Sequence, residues 1–288
     1  MDPDHGVQVT VPEASATAAQ SRPPASPLMS AEEVVVDYHL GRGRTLRAVD
    51  HVSFELQPGE VLGIVGESGS GKSTLGKVAA GFIRPDHGRV LVASDGSALQ
   101  DRAQRHPRGY RDVQMVFQES AAALNPRLPV WKLIGESVRP DRLLSHPWGS
   151  GRTQLRDVVL AQLGRYGLSR ALIDKRPAEL SGGEKQRVAV ARAMLASPAV
   201  VVCDEAVSSL DVSIRAVVLN LFKRLRDETG VALIFISHDI AVVAHLADRI
   251  LVMHNGRNVE TGATAQVIDE PKDAYTRQLL AAVPRLER

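Results

Sequence analysis

The sequence has one cysteine, Cys203, among 288 residues. That excludes an internal disulfide and any cysteine cluster, and it suits a reducing compartment. Cys203 lies in an apolar run just before Asp204, so it reads as a small buried hydrophobe rather than a nucleophile. Long apolar runs are also missing. The candidates are short pieces such as AVVVC at 199–203, whereas a membrane span needs about 18 consecutive apolar residues. Any membrane association must therefore come through a partner. Charge of one sign is missing too: 35 Lys and Arg are spread among 33 Asp and Glu for a formal net charge of +2. No broad basic face for nucleic acid results. A secretory leader is not expected, because Asp2 and Asp4 replace a basic start and no apolar stretch comes after them. No internal repeat is visible.

What is present begins with residues 1–30, rich in Ala, Pro and Ser and holding Pro12, Pro23, Pro24 and Pro27. Such a composition buries too little apolar surface to offset ordering entropy, so a disordered extension is expected. Met29, at its end, is a candidate start. Beyond it, 44% hydrophobic residues permit a large core, as one domain or a domain with a subdomain. VVV at 34–36, VSFEL at 52–56 and VLGIVG at 61–66 read as strands, and VQMVF (113–117), VVVC (200–203) and VALIFI (231–236) as strands buried on both faces of a parallel sheet. Ile214, Val217, Val218, Leu221, Phe222 and Leu225 form a helix stripe, and Asn255-Gly256 signals a two-residue hairpin. The Pro-punctuated stretch from about 121 to 176 reads as an inserted helical subdomain.

The chemistry starts at Gly66-Glu67-Ser68-Gly69-Ser70-Gly71-Lys72-Ser73, continued by Thr74, which fits G-x-x-x-x-G-K-S. A strand feeds this loop and a helix from near Ser73 to about Gly81 leaves it, the context a phosphate loop needs. Backbone N–H groups would cradle phosphates, Lys72 would reach the β and γ oxygens, and Ser73 would hold magnesium. The strand at 200–203 ends in Asp204 and Glu205 at the carboxyl edge of the sheet, where such folds bind ligands. Asp204 can hold magnesium, and Glu205 can polarise an attacking water. Alone, the pair would read equally well as a solvated loop cap. His238 ends a further strand and can approach the γ-phosphate, although a lone histidine is usually structural. Gln118 ends another and could reach metal or water, although such a glutamine is more often a plain surface residue. Leu180–Arg187, LSGGEKQR, poses a puzzle: its paired glycines and adjoining helix make a second phosphate-binding stretch in one chain.

Lys72, Gln118, LSGGE at 180–184, Asp204-Glu205, Ser209-Leu210-Asp211 and His238 stand in the order and approximate spacing of the ATP-binding cassette ATPases, which residues 33 to about 262 resemble. The resemblance implies an α/β P-loop NTPase of the ABC type: a mostly parallel core sheet with flanking helices, an antiparallel β-subdomain and the inserted helical subdomain. It divides the chain into the extension at 1–30, an ATP-binding domain at 31–262 and a tail at 263–288. It implies ATP and Mg2+ as cofactors, with Lys72, Gln118, Glu205 and His238 in catalysis and Ser73, Gln118 and Asp204 at the metal. Tyr38 matches the aromatic residue that stacks on adenine. Besides the loop from Gly66 to Thr74, nucleotide contacts are expected from the signature residues Ser181, Gly182, Gly183 and Glu184 and from Asp211.

The resemblance also resolves the puzzle, since in cassette dimers the signature of one subunit covers the phosphate held by the other. ALNPRLPV at 123–130 and DEPKDAYTRQLLAAVPRLER at 269–288 are similar to peptide and nickel importer ATPases. The implied partners are a second ATPase subunit, two membrane permeases and, indirectly, an external solute-binding protein, with no nucleic acid. The implied location is the cytoplasmic face of the membrane. The permeases would meet the region from Gln118 to the helical subdomain, with Arg127 facing them. Departures are Glu184 for glutamine, Ala206-Val207 after Glu205, and Ser120 for proline; none removes a phosphate or metal contact. The tail bears no cysteine, so neither iron–sulfur cluster nor zinc is expected. A soluble cassette protein acting on ribosome or DNA, or an exporter ATPase, are the alternatives.

Overall fold

The computed structural model describes residues 26–41, 43–93, 99–101, 112–118, 123–138, 152–208 and 210–282. Most of the expected extension, Ser120, Ser209 and the last six residues lie outside the described residues.

The core is a sheet of six strands in the order β10-β9-β3-β8-β7-β6, with β3 (Val61–Val65), β6 (Val113–Val116), β7 (Val200–Asp204), β8 (Ala232–Ser237) and β9 (Arg249–His254) parallel to one another. β10 (Arg257–Ala263) returns antiparallel through Asn255-Gly256, both at positive φ (49° and 80°), as the Asn-Gly pair demands. The continuous apolar runs have a simple origin, for alternate side chains enter two different cores. Val61, Val65, Val201, Cys203, Leu233 and Phe235 join one cluster, and Leu62, Ile64, Val200, Val202, Ile234 and Ile236 the other. Burial pushes the Cys203 thiol far up, in keeping with a packing role.

The second core lies between this sheet, helix α1 (Lys72–Ala79) and a four-stranded antiparallel sheet in the order β2-β1-β4-β5: β1 (Met29–His39), β2 (Thr45–Leu56), β4 (His87–Val92) and β5 (Gln100–Asp101). β1 starts earlier than its VVV kernel. Met29 pairs with Leu56 on one side and Val92 on the other, which buries Met29 completely, so the last residues of the 1–30 segment belong to the sheet.

The first core joins α4 (Gly182–Leu195), α5 (Val212–Thr229) and α6 (Ile240–Ala244) to the inserted region. That region contributes α2 (Val130–Gly135), α3 (Arg152–Gln162) and short 3-10 turns through Glu179. Two short helices, α7 (Thr264–Asp269) and α8 (Ala274–Ala281), come after β10. Among the described residues, no helix is long and apolar enough to cross a membrane.

Candidate functional site

Parallel register brings four strand ends to one edge. Val65 pairs with Ser237, Asp204 with Ile236 and Val116 with Cys203. The segments that leave these strand ends therefore meet at one place: the glycine loop after β3, Asp204-Glu205 at β7, His238 after β8 and Gln118 after β6. Together they line an open cleft of about 910 Å³ with Glu67, Ser68, Gly69, Gly71, Lys72, Ser73, Thr74, Gln118, Glu205 and His238 in its walls.

Lys72 is buried, and its ammonium donates to the carbonyls of Gly66 (2.8 Å) and Glu67 (2.6 Å) and to Ser70 Oγ (3.3 Å). Burial lowers its pKa, against the pull of Glu205 and Asp204. Gly71 begins α1 at φ +99°, and a Cβ there would stand 2.1 Å from the Ala48 carbonyl oxygen. Only glycine fits that turn against β2. Ser73 Oγ donates to Asp204 Oδ1 at 2.8 Å, and burial raises the Asp204 carboxyl while Ser73 and nearby lysines oppose it. Glu205 is gripped from two sides: Gln118 Nε2 donates to Oε2 at 2.8 Å, and His238 Nδ1 lies 3.3 Å from Oε1. Its backbone stands at φ +46°, with its N–H on the Ile236 carbonyl at 3.0 Å.

These residues suit a magnesium nucleotide. Hard cations take oxygen ligands, and magnesium keeps waters and one or two carboxylates beside phosphate oxygens. Ser73, Asp204 and Gln118 offer such oxygens. The buried ammonium of Lys72 donates to uncharged oxygens, with the Glu205 and Asp204 carboxylates acting on it from farther off, and Asp204 is a buried carboxylate whose charge burial disfavours; bound phosphate and metal would relieve both.

Tyr38 stands at the mouth of the cleft with its ring partly exposed and its hydroxyl 3.5 Å from Thr74 Oγ1. Ser181, Gly182, Gly183, Glu184 and Asp211 do not line the cleft. Ser181 instead caps α4: Glu184 N–H reaches Ser181 Oγ at 3.3 Å, and the Glu184 carboxylate accepts from Ser181 N–H and Oγ at 2.8 Å each. Asp211 caps α5 by accepting from the Ile214 N–H at 2.9 Å.

Sequence reasoning does not anticipate Arg47, Asn255 and Leu279 in the cleft wall, or Tyr275, whose hydroxyl accepts from the Glu67 N–H at 2.9 Å. For Tyr275 the local signal is Asp273, which caps α8 through the Tyr275 N–H at 2.7 Å; nothing local points to a loop 208 residues earlier. Arg127 lies on the surface with its N–H on Asn125 Oδ1 at 3.0 Å. A separate groove of about 580 Å³ runs between the core and the inserted helices, with Phe82, Phe117, Glu136 and Arg192 in its walls. Phe82 is 63% exposed and meets Phe117 edge-on at 5.3 Å.

Residues 49–208 match the ABC transporter family. The chain is similar to the oligopeptide transport ATP-binding protein OppF of Haemophilus influenzae, 42% identical over 249 residues that cover 85% of this chain and 73% of that one. It is also similar to the dipeptide transport ATP-binding protein DppF of Escherichia coli, 40% identical over 266 residues covering 90% and 77%. Among solved structures, an ATP-binding cassette of an ABC transporter in its ADP conformation aligns with a TM-score of 0.71 and 25% identity, over 90% of this chain and all of that one. A dimeric cassette in a post-hydrolysis state with ADP and Pi aligns at 0.69 and 25% identity, over 82% and 98%.

Proposed function

The chain belongs to the ABC transporter family as an ATP-hydrolysing subunit, and on that premise we propose that it powers the uptake of peptides by ATP-driven closure of a dimer coupled to membrane permeases. The single observation that carries the chemical part is Glu205, poised between Gln118 and His238 at the edge of the cleft that holds Lys72.

In this reading Lys72 and the amides of the first turn of α1 offset phosphate charge, and Ser73, Asp204 and Gln118 hold the magnesium ion. When bound, that ion neutralises charge developing on the phosphate oxygens. Glu205 accepts hydrogen bonds from Gln118 and, in the matching tautomer, from His238, so its carboxylate is aimed rather than free to rotate. Its task is to orient a water toward the γ-phosphate, chiefly a matter of positioning and electrostatics. Tyr38 offers a ring for the base.

Ser181 and its neighbours lie outside the cleft of their own chain, which favours a dimer in which each signature covers the partner's nucleotide; the solved relative is itself dimeric. Peptide as solute rests on the likeness to OppF and DppF. The groove beside Phe82 and Phe117 is the surface proposed for the permeases, and this attachment would place the chain at the cytoplasmic face of the membrane. The exposed Arg127, in the inserted region but outside the lining of that groove, is a second proposed permease contact: Arg127→Ala should weaken permease association with ATP binding intact, and loss of ATP binding instead would overturn that role.

Glu205→Gln tests the reading, since the amide keeps the shape and loses the charge. MgATP should still bind, turnover should drop by about 10²-fold or more, and a dimer should persist with ATP in gel filtration. Near-normal turnover would overturn the role of Glu205. Copurification with ribosomes or DNA, in place of two integral permeases, would overturn the transport role.

A further inference from the structure

The carboxyl-terminal helix α8 reaches back onto the phosphate loop at one peptide unit. The peptide between Gly66 and Glu67 presents its carbonyl to Lys72 Nζ at 2.8 Å and its N–H to Tyr275 Oη at 2.9 Å. One planar unit is thus held at both ends, by the ammonium on one side and the phenol on the other. A peptide plane turns as a whole. Releasing the Glu67 N–H therefore frees the Gly66 carbonyl to swing away from Lys72.

Tyr275 is itself firmly seated. It is 8% exposed, and its ring lies against His254 with centroids 3.9 Å apart, at the end of the strand that walls the loop. The Glu260 carboxylate of β10 accepts from the N–H groups of Lys272 and Asp273 at 2.9 and 3.0 Å, which ties the start of α8 to the core sheet. One turn after Tyr275, Leu279 lines the cleft. The helix is thus anchored on β10, stacked on β9 and in contact with the loop.

We propose that Tyr275 is a positioning residue of the nucleotide site: its hydroxyl fixes the Gly66–Glu67 peptide and, through that peptide, the Lys72 ammonium that receives the phosphates. This rests on the assignment of the cleft to MgATP. A helix beyond residue 262, where the cassette resemblance ends, thereby takes part in shaping the phosphate loop.

Tyr275→Phe deletes the hydroxyl and keeps the ring on His254. Full-length chains are compared by equilibrium binding of MgATP, in the native and in the Lys72→Ala background. A neutral hydrogen bond of ordinary strength corresponds to about a three- to tenfold loss of affinity. We expect that loss in the native background, and less than about twofold in Lys72→Ala, where the peptide has no ammonium to position. An unchanged affinity in the native background, or an equal loss in both, would overturn the proposal. Amide exchange of nucleotide-free wild-type chain tests it without a variant, and holds even if Tyr275→Phe does not fold. The Glu67 N–H should be protected at least about tenfold, and exchange at the rate of an open loop would overturn the proposal. Failure of the wild type to bind MgATP would instead sink the assignment of the cleft.

Discussion

Two helices of this chain begin at glycine-rich stretches, α1 just after the loop at 66–71 and α4 with Gly182 and Gly183 as its own first residues, and their first turns are finished in opposite ways. At α1 no side chain caps the turn; Gly71 enters in the left-handed region, and the loop is walled by Ala48, Met253 and the Gly256 N–H, which reaches the Ser70 carbonyl at 3.1 Å. At α4 the chain supplies its own cap, the reciprocal bonds of Ser181 and Glu184. Gly182 faces open space, with nothing within 4 Å of a Cβ placed there. The first stretch is enclosed and leaves donors for a ligand. The second is capped from within and leaves Ser181 and Gly182 exposed while Gly183 packs on Ile214, which fits the proposed action of this surface on another subunit.

The sharpest way to break this contrast is Gly71→Ala. Positive φ and the approach to the Ala48 oxygen should together cost roughly 2–4 kcal/mol of stability. MgATP binding should fall below detection in calorimetry; retained binding would mean the loop has slack that the geometry denies it. A smaller but more telling effect comes from mixing two defective chains. Lys72→Ala and Ser181→Arg should each abolish nucleotide-dependent cross-linking of a homodimer. A mixed dimer holds one site with both defects and one with neither, so cross-linking should return at one of two sites. No recovery in a confirmed mixed dimer would mean that the signature serves its own chain.

Protonation acts on the two stretches with opposite sign. Burial holds the Asp204 carboxyl above its ordinary range, so its charge opposes folding at neutral pH, and that cost is relieved as pH falls through the raised value. Glu184 is held low by the backbone and hydroxyl of Ser181, so its contribution is present above the ordinary glutamate range and fades as pH falls through the lowered value. At pH 7 without nucleotide, Asp204→Asn should raise the melting temperature by roughly 2 °C, while Glu184→Ala should lower stability by about 1 kcal/mol through loss of the cap. Equal signs for the two would break the contrast. Smallest of all, Gly182→Ala should shift stability by no more than ~0.5 kcal/mol, and a larger loss would show that the signature is not open.

Much of this is legible from residue order. Strands buried on both faces announce themselves as runs such as Val200–Cys203, and Asn255-Gly256 dictates its hairpin locally. The phosphate loop, Asp204-Glu205 and His238 can be placed because each comes at the end of such a strand, so a parallel sheet delivers them to one edge. Met29 falls into the extension on composition because its neighbours are Pro27 and Ser26, although strands on both sides claim it. Tyr275 reads from sequence as a mark of kinship only, because its partner lies far away along the chain. Arg47 and Asn255 reach the cleft through sheet geometry that a single strand pattern does not contain.

Glu205 sits at φ +46°, a conformation in which a side-chain-bearing residue costs of order 1 kcal/mol relative to glycine. If Glu205 orients the attacking water as proposed, durability and turnover pull this position in opposite directions: a glycine would relax the backbone and discard the carboxylate. Libraries screened only for heat resistance should drift toward glycine or asparagine here, and a thermally hardened subunit obtained that way would hold its nucleotide without spending it.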